Sequence, residues 1–181
     1  MQVERRKKLE HFNDPGHAHA LTFSCFRQWP LLSSDRTRKW FLDSLKTACE
    51  KHQFNLKAFV IMPNHVHLVV VSEKDVYDIA KFLQSVKQPI SMKAKKWLAE
   101  NNKKWLNKLS YTNRYGQVRF RFWQQAGGYD RNIINKETLR KIIDYIHFNP
   151  VRKGLVKKPE DWKWSSFRWV EGLTRGSIFE I

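Results

Sequence analysis

The stretch from Phe54 to Val71 constrains the fold more tightly than any other part of the chain. Phe54–Ile61 and His65–Val71 are two largely apolar runs rich in β-branched residues, the composition of buried strands. Pro63-Asn64 lies between them and turns the chain. The pair reads as a hairpin. Its second strand opens on His65-Val66-His67, and the two-residue period of a strand puts both imidazoles on one face. Two polar rings at the mouth of an otherwise apolar strand need partners. One reading is a polar face of a half-buried strand. The other, which the flanking residues favour, is half of a metal site, because neutral imidazole is the commonest protein metal ligand.

Elements on either side extend the pattern. Ala20–Phe26 alternates small or polar with apolar residues and reads as a first strand. Ser33-Ser34-Asp35 offers helix caps, and Phe41, Leu45, Ala48 and Cys49 then recur at helical spacing as far as His52. Residues 75–109 read as a helix with Val76, Ile79, Leu83 and Val86 on one face, interrupted at Pro89. Val118–Trp123 alternates and is expected to be the fourth strand, broken by Gly127-Gly128. Asn135 then caps a helix whose buried stripe is Leu139, Ile142, Ile143 and Ile146, closed by Asn149-Pro150. The order β-α-β-β-α-β followed by α predicts an α+β fold, a ferredoxin-like antiparallel sheet with helices packed on one face.

Composition limits the partners. The 181 residues fit one domain, 1–181, with a core of its own. A formal charge of +17 repels itself unless a polyanion neutralises it, so nucleic acid is the expected partner. A membrane is not, because no apolar run is long enough to span one and no signal peptide precedes residue 20. Cys25 and Cys49 read as small core residues of a protein in a reducing compartment. Eight lysines against the single acid Glu100 lie between Lys81 and Lys108, interleaved with Trp97 and Trp105. Such a helix can track phosphates and stack unpaired bases. The expected DNA contacts are Lys87, Lys93, Lys95 and Lys96 on this helix, Arg119 and Arg121 on the fourth strand, and Asn64, Trp123 and Arg131.

A metal beside nucleic acid suggests phosphodiester chemistry. The seventeen acidic residues are scattered, and none lies in or next to the His65 strand, which argues against a two-metal carboxylate nuclease. A tyrosine nucleophile is the alternative. Tyr129 follows Gly127-Gly128, a pair permitting close approach of a phosphate. If a helical turn begins there, Asn132 at i+3 shares its face and could donate an oxygen to the metal. Tyr145 also competes, but it falls beside Ile142 and Ile146 on an apolar stripe and reads as a packing residue. His17-Ala18-His19 reads as surface or DNA-facing, and His147 as a polar residue at a helix end.

Five blocks carry a resemblance: Met62-Pro63-Asn64-His65-Val66-His67-Leu68-Val69, Phe122-Trp123-Gln124, Gly128-Tyr129-Asp130-Arg131-Asn132, the run from Tyr145-Ile146-His147-Phe148-Asn149-Pro150 to Val156, and Trp162-Lys163-Trp164-Ser165-Ser166. In this order they resemble the REP-associated tyrosine transposases, single-tyrosine members of the HUH nucleases. The resemblance implies a nuclease core over 17–156 with a C-terminal extension over 157–181. It implies Mg²⁺ or Mn²⁺ held by His65, His67 and Asn132, with Tyr129 as the nucleophile. It further implies attack on single-stranded DNA beside a hairpin, a REP-like palindrome, leaving a 5′-phosphotyrosine link and a free 3′-hydroxyl that permits strand transfer. A bacterial cytoplasmic, nucleoid-associated monomer is expected. The alternatives are a catalytically silent, domesticated hairpin-DNA-binding protein and a small-molecule metallohydrolase, which would leave the charge unexplained.

Overall fold

A computed structural model describes residues 13–125 and 128–180. Residues 1–12, and Gly127 of the expected glycine turn, lie outside the described residues. In chain order the elements are β1 (Ala18–Ser24), α1 (Asp35–His52), β2 (Phe54–Ile61), β3 (His65–Ser72), α2 (Ile79–Asn101), α3 (Lys103–Leu109), β4 (Ser110–Thr112), β5 (Val118–Phe120), β6 (Tyr129–Ile133), α4 (Lys136–His147) and the short α5 (Asn149–Arg152). The main sheet has the order β2-β3-β1-β6, with every neighbouring pair antiparallel. That is the ferredoxin-like arrangement, with α1 crossing from β1 to β2 and α2 lying between β3 and β6.

Alternation along the strands divides the core in two. Leu21, Phe23, Val66, Leu68 and Val70 point to one side and bury against Phe41 and Leu45 of α1 and Phe82, Val86 and Ile90 of α2. Ala18, Ala20, Ala58, Val69 and Ile133 point to the other, where Leu139, Ile142 and Ile146 of α4 cover them. Three alanines on this face leave room for a helix to lie close. The expected helices on one face are α1 and α2, and α4 is an addition on the opposite face.

Two boundaries differ from expectation. Val118–Phe120 is not the fourth strand of the main sheet. It pairs with β4 in a separate two-stranded ribbon, and the fourth position is taken by β6. Pro89 does not interrupt α2, which runs through it. Val86 and Ile90 are both fully buried, so packing on either side offsets the hydrogen bond that proline cannot make. The break falls instead at Asn102, whose backbone leaves helical geometry and whose side chain caps α3 by accepting from Trp105 N at 3.1 Å.

The outer edge of β2 is covered by Trp164-Ser165-Ser166. Ile61 N donates to Trp164 O (2.9 Å) and Ser166 N to Phe59 O (3.0 Å). His147, at the end of α4, is buried with Nε2 2.9 Å from Ser166 Oγ, so α4 is fastened to the same edge. Among the described residues no helix is long and apolar enough to cross a membrane.

Candidate active site

His65 and His67 lie on the face of β3 that α4 partly covers. Their cross-strand neighbours are Ser24 and Thr22 of β1. Each ring is held by a different oxygen. His65 Nδ1 donates to Asn64 Oδ1 at 2.7 Å, and His67 Nδ1 lies 2.7 Å from Thr22 Oγ1. The ring centroids are 4.8 Å apart with planes at 88°. With both Nδ1 atoms engaged, both Nε2 atoms remain for a ligand, the arrangement in which an oxygen behind each ring fixes the orientation of a metal-binding imidazole. Burial, reinforced by Lys153, pushes the His65 pKa down. Burial, then His65 and Arg152, push His67 down to about 3. Both rings are therefore neutral near pH 7, the form that coordinates metal.

The residues fit a divalent cation in part. Among the described residues no group of three His, Cys, Asp or Glu side chains could hold a metal. An ion on this pair would complete its shell with neutral oxygens, water or a phosphate. Two imidazoles suit a transition ion better than Mg²⁺, which prefers an all-oxygen shell.

A groove of about 570 Å³ opens beside the pair, lined by Thr22, His67, Tyr129, Arg131, Lys141 and Tyr145 among others. Tyr145 stands edge-on to His67, with ring centroids 6.3 Å apart at 89°. Its ring is 51% exposed, so the expected packing role is corrected. The residue sits at the margin of the α4 stripe, where helix and sheet part to form the groove. The Arg152 guanidinium lies 4.0 Å over the Tyr145 ring, and its Nη2 donates to Tyr145 O at 2.8 Å. Asn149, one helical turn beyond Tyr145 and buried, donates Nδ2 to the same carbonyl at 3.1 Å.

The other expected residues divide. Tyr129 begins a strand rather than a helical turn, and pairs with Thr22 across β1. It and Arg131 both reach the groove, with Tyr129 two strands from β3. Asn132 is not brought to the histidines. Three residues on in a strand is the opposite face, where its Nδ2 lies 3.3 Å from both Asp14 Oδ2 and His17 Nδ1. His19 is not a surface residue either. It is fully buried between Asp130 Oδ1 and Tyr77 OH, each at 2.8 Å.

Two expected DNA contacts belong to the core. Trp123 is buried and donates Nε1 to Lys87 O at 3.0 Å. Lys87 turns its Nζ to 4.4 Å from the Phe23 ring, and burial pulls its pKa down to about 8. Lys95, Lys96 and Arg119 are exposed, as is Lys93, 4.0 Å from Asp43. Arg121 stacks at 4.0 Å on Tyr111. Asn64 is at the site, but as the partner of His65. Sequence reasoning missed Thr22, Asn149 and Arg152. The last two were legible in the spacing Tyr145, Asn149, Arg152, which follows one helical face at i, i+4, i+7.

Comparison with known proteins places the chain in a family. Residues 17–121 match the family model described as "Transposase IS200 like". A Haemophilus influenzae protein assigned to the REP-associated tyrosine transposases is 28% identical over 144 residues, spanning 76% of each chain. The REP-associated tyrosine transposase of Escherichia coli K12 is 26% identical over 117 residues, 63% of this chain and 54% of that one. A solved structure of a REP-associated tyrosine transposase bound to a REP hairpin superposes with TM-score 0.69 at 19% identity, covering 97% of this chain and 94% of that chain.

Proposed function

Since the chain belongs to the IS200-like transposase family, we propose that it cuts and rejoins single-stranded DNA beside a hairpin through a covalent phosphotyrosine, with Tyr145 rather than Tyr129 as the nucleophile. One observation carries this reading: the Tyr145 ring lies 6.3 Å from His67 in a cationic groove, whereas Tyr129 is two strands from β3. The hairpin bound by the structural relative supports hairpin DNA as the substrate class.

His65 and His67 would hold Mg²⁺ or Mn²⁺, with Mn²⁺ favoured by the nitrogen donors, and Asn132, whose amide lies beside Asp14 and His17, is not part of the set. When bound, such an ion withdraws charge from the scissile phosphate. The chain's own groups do the rest. An ordinary phenol titrates near 10, so the nucleophile must be activated. The Arg152 guanidinium, 4.0 Å over the ring, sets a fixed positive charge against the attacking residue, where negative charge develops as the phosphate is displaced. The phenolate oxygen attacks phosphorus, forming the Tyr O–P bond as the P–O3′ bond breaks. The phenol proton leaves to water, and water protonates the departing 3′-oxygen. Attack by a second strand's 3′-hydroxyl reverses the step and joins the strands. Arg131 and Lys141, which line the groove, hold the backbone of the strand being cut. Every group named belongs to one chain, so a monomer suffices.

A labelled hairpin oligonucleotide with a single-stranded flank, incubated with Mn²⁺ and run on a denaturing gel, tests the reading. Wild type gives a cleaved strand and a protein-linked one, and His67→Ala and Tyr145→Phe give neither. Binding without cleavage in wild type would select the silent hairpin-binding alternative.

A further inference from the structure

A second cavity, of about 290 Å³, opens on the opposite face of the sheet between the start of α1 and the α2–α3 bend, lined by Leu31, Arg36, Trp40, Trp97, Leu98 and Trp105 among others. The size is at the lower end for ligand pockets, about 300 Å³, and suits one planar ring system. The Arg36 guanidinium lies 3.6 Å over the Trp97 ring. Trp29 meets Trp105 edge-to-face at 5.4 Å. All four rings, Trp29, Trp40, Trp97 and Trp105, are half-buried, and of these Trp40 also packs against the main core. No acidic side chain is among the lining residues, and the rim is cationic. Lys108 lies 4.9 Å from the Trp105 ring, Arg27 5.6 Å from the Trp29 ring, and Arg121 5.3 Å from the neighbouring Phe26 ring.

The loop that carries Trp29 is tied to the histidine pair. Cys25 N donates to Asn64 O and Leu32 N to Pro63 O, both at 2.8 Å. Gln28 Oε1 accepts from Asn64 Nδ2 at 3.2 Å, and Asn64 Oδ1 in turn holds His65 Nδ1. Arg27 and Gln28 are consecutive left-handed non-glycine residues, φ 53° and 56°, a conformation kept only where surroundings enforce it. The cavity therefore sits at the same end of the sheet as His65, one loop away.

We propose that this tryptophan cavity binds one unpaired nucleobase of the single strand flanking the cleavage site, and so sets which phosphate enters the groove. Aromatic walls with an arginine plane stack any base, and the cationic rim receives the phosphates on either side. The proposal rests on the DNA-cleaving reading above but is tested by binding alone.

The probe is a DNA hairpin with a single-stranded flank in which each flank nucleotide in turn is made abasic, binding being read by fluorescence anisotropy on the full chain. One position should weaken wild-type binding about 5- to 150-fold, the loss of one base–aromatic stack. In Trp105→Ala that position should lose its effect, while a hairpin without the flank binds as before, and Trp105→Phe should restore the sensitivity. A 2-aminopurine at the sensitive position should be quenched on wild-type binding, which requires no variant. Equal sensitivity at every position, or Trp105→Ala weakening the flankless hairpin equally, overturns the proposal. A positional signature without DNA cleavage would count against the catalytic reading only.

Discussion

Acidification should loosen the α4 anchor at His147. This ring is 1% exposed, 2.9 Å from Ser166 Oγ, and burial holds its pKa at about 4 against an ordinary 6.5. Because the folded value is the lower one, the unfolded chain binds the extra proton. The stability this ring contributes is complete above pH 6.5 and is lost as pH falls toward 4. Linkage between these two values gives a loss of roughly 2 kcal/mol at pH 5, saturating near roughly 3 kcal/mol below pH 4. Urea unfolding with EDTA present, at pH 7.5 and pH 5, measures it. For a slope of about 2 kcal/mol/M the midpoint moves by about 1 M. His67 titrates in the same direction, so the comparison is with His147→Gln, which keeps a polar partner for Ser166 but cannot titrate. The variant should lose roughly 2 kcal/mol less than wild type between the two pH values. An equal loss in both proteins would refute the assignment.

Other expectations follow from the same contacts. Thr22→Val and Asn64→Ala each free an imidazole to rotate, and should weaken Mn²⁺ binding about 10- to 100-fold by calorimetry. Asp130→Ala removes the buried partner of His19 at 2.8 Å, and should cost about 1–3 kcal/mol in chemical denaturation; an unchanged midpoint would show that this pair does not hold β6 to β1. Cys25 and Cys49, whose thiols burial raises to about 12, should resist thiol-specific reagents at pH 8 until the chain unfolds. Hairpin binding should fall steeply and log-linearly with salt, and a flat dependence would contradict phosphate-led recognition.

The parts of the fold that were legible in sequence are those where local chemistry and tertiary packing agree. The hairpin from Phe54 to Ser72 carries apolar runs around a Pro-Asn turn. Helices α1 and α4 carry real caps, with Ser34 Oγ accepting from Thr37 N at 3.2 Å and Asn135 Oδ1 from Glu137 N at 2.7 Å. The fourth strand was hidden because Tyr-Asp-Arg-Asn-Ile has little apolar alternation. It buries Asp130 against His19, a pairing that no local pattern encodes. Val118–Trp123 alternates better, but its first half joins a ribbon and only Trp123 bridges Cys25 just beyond β1, since period two specifies a strand and not its partner. In the site, the histidine pair was legible from the strand period alone. The expected Asn132 ligand depended on a helix where the chain is extended, which reverses its face. Tyr145 was misjudged because a helical stripe defines which residues lean inward, not where helix and sheet separate into a groove. Trp123 and Lys87 illustrate the converse: charge and aromaticity suggest DNA contacts, but both side chains are drawn into the core around Phe23.

Peptide mapping of the covalent protein–DNA adduct by mass spectrometry tests the central claim most directly, using wild type, Mn²⁺ and a hairpin oligonucleotide with a single-stranded flank. The nucleotide mass should be found on the peptide that contains Tyr145, attached through a 5′-phosphate. A nucleotide carried by Tyr129, or strand cleavage without any protein-bound nucleotide, would contradict the account.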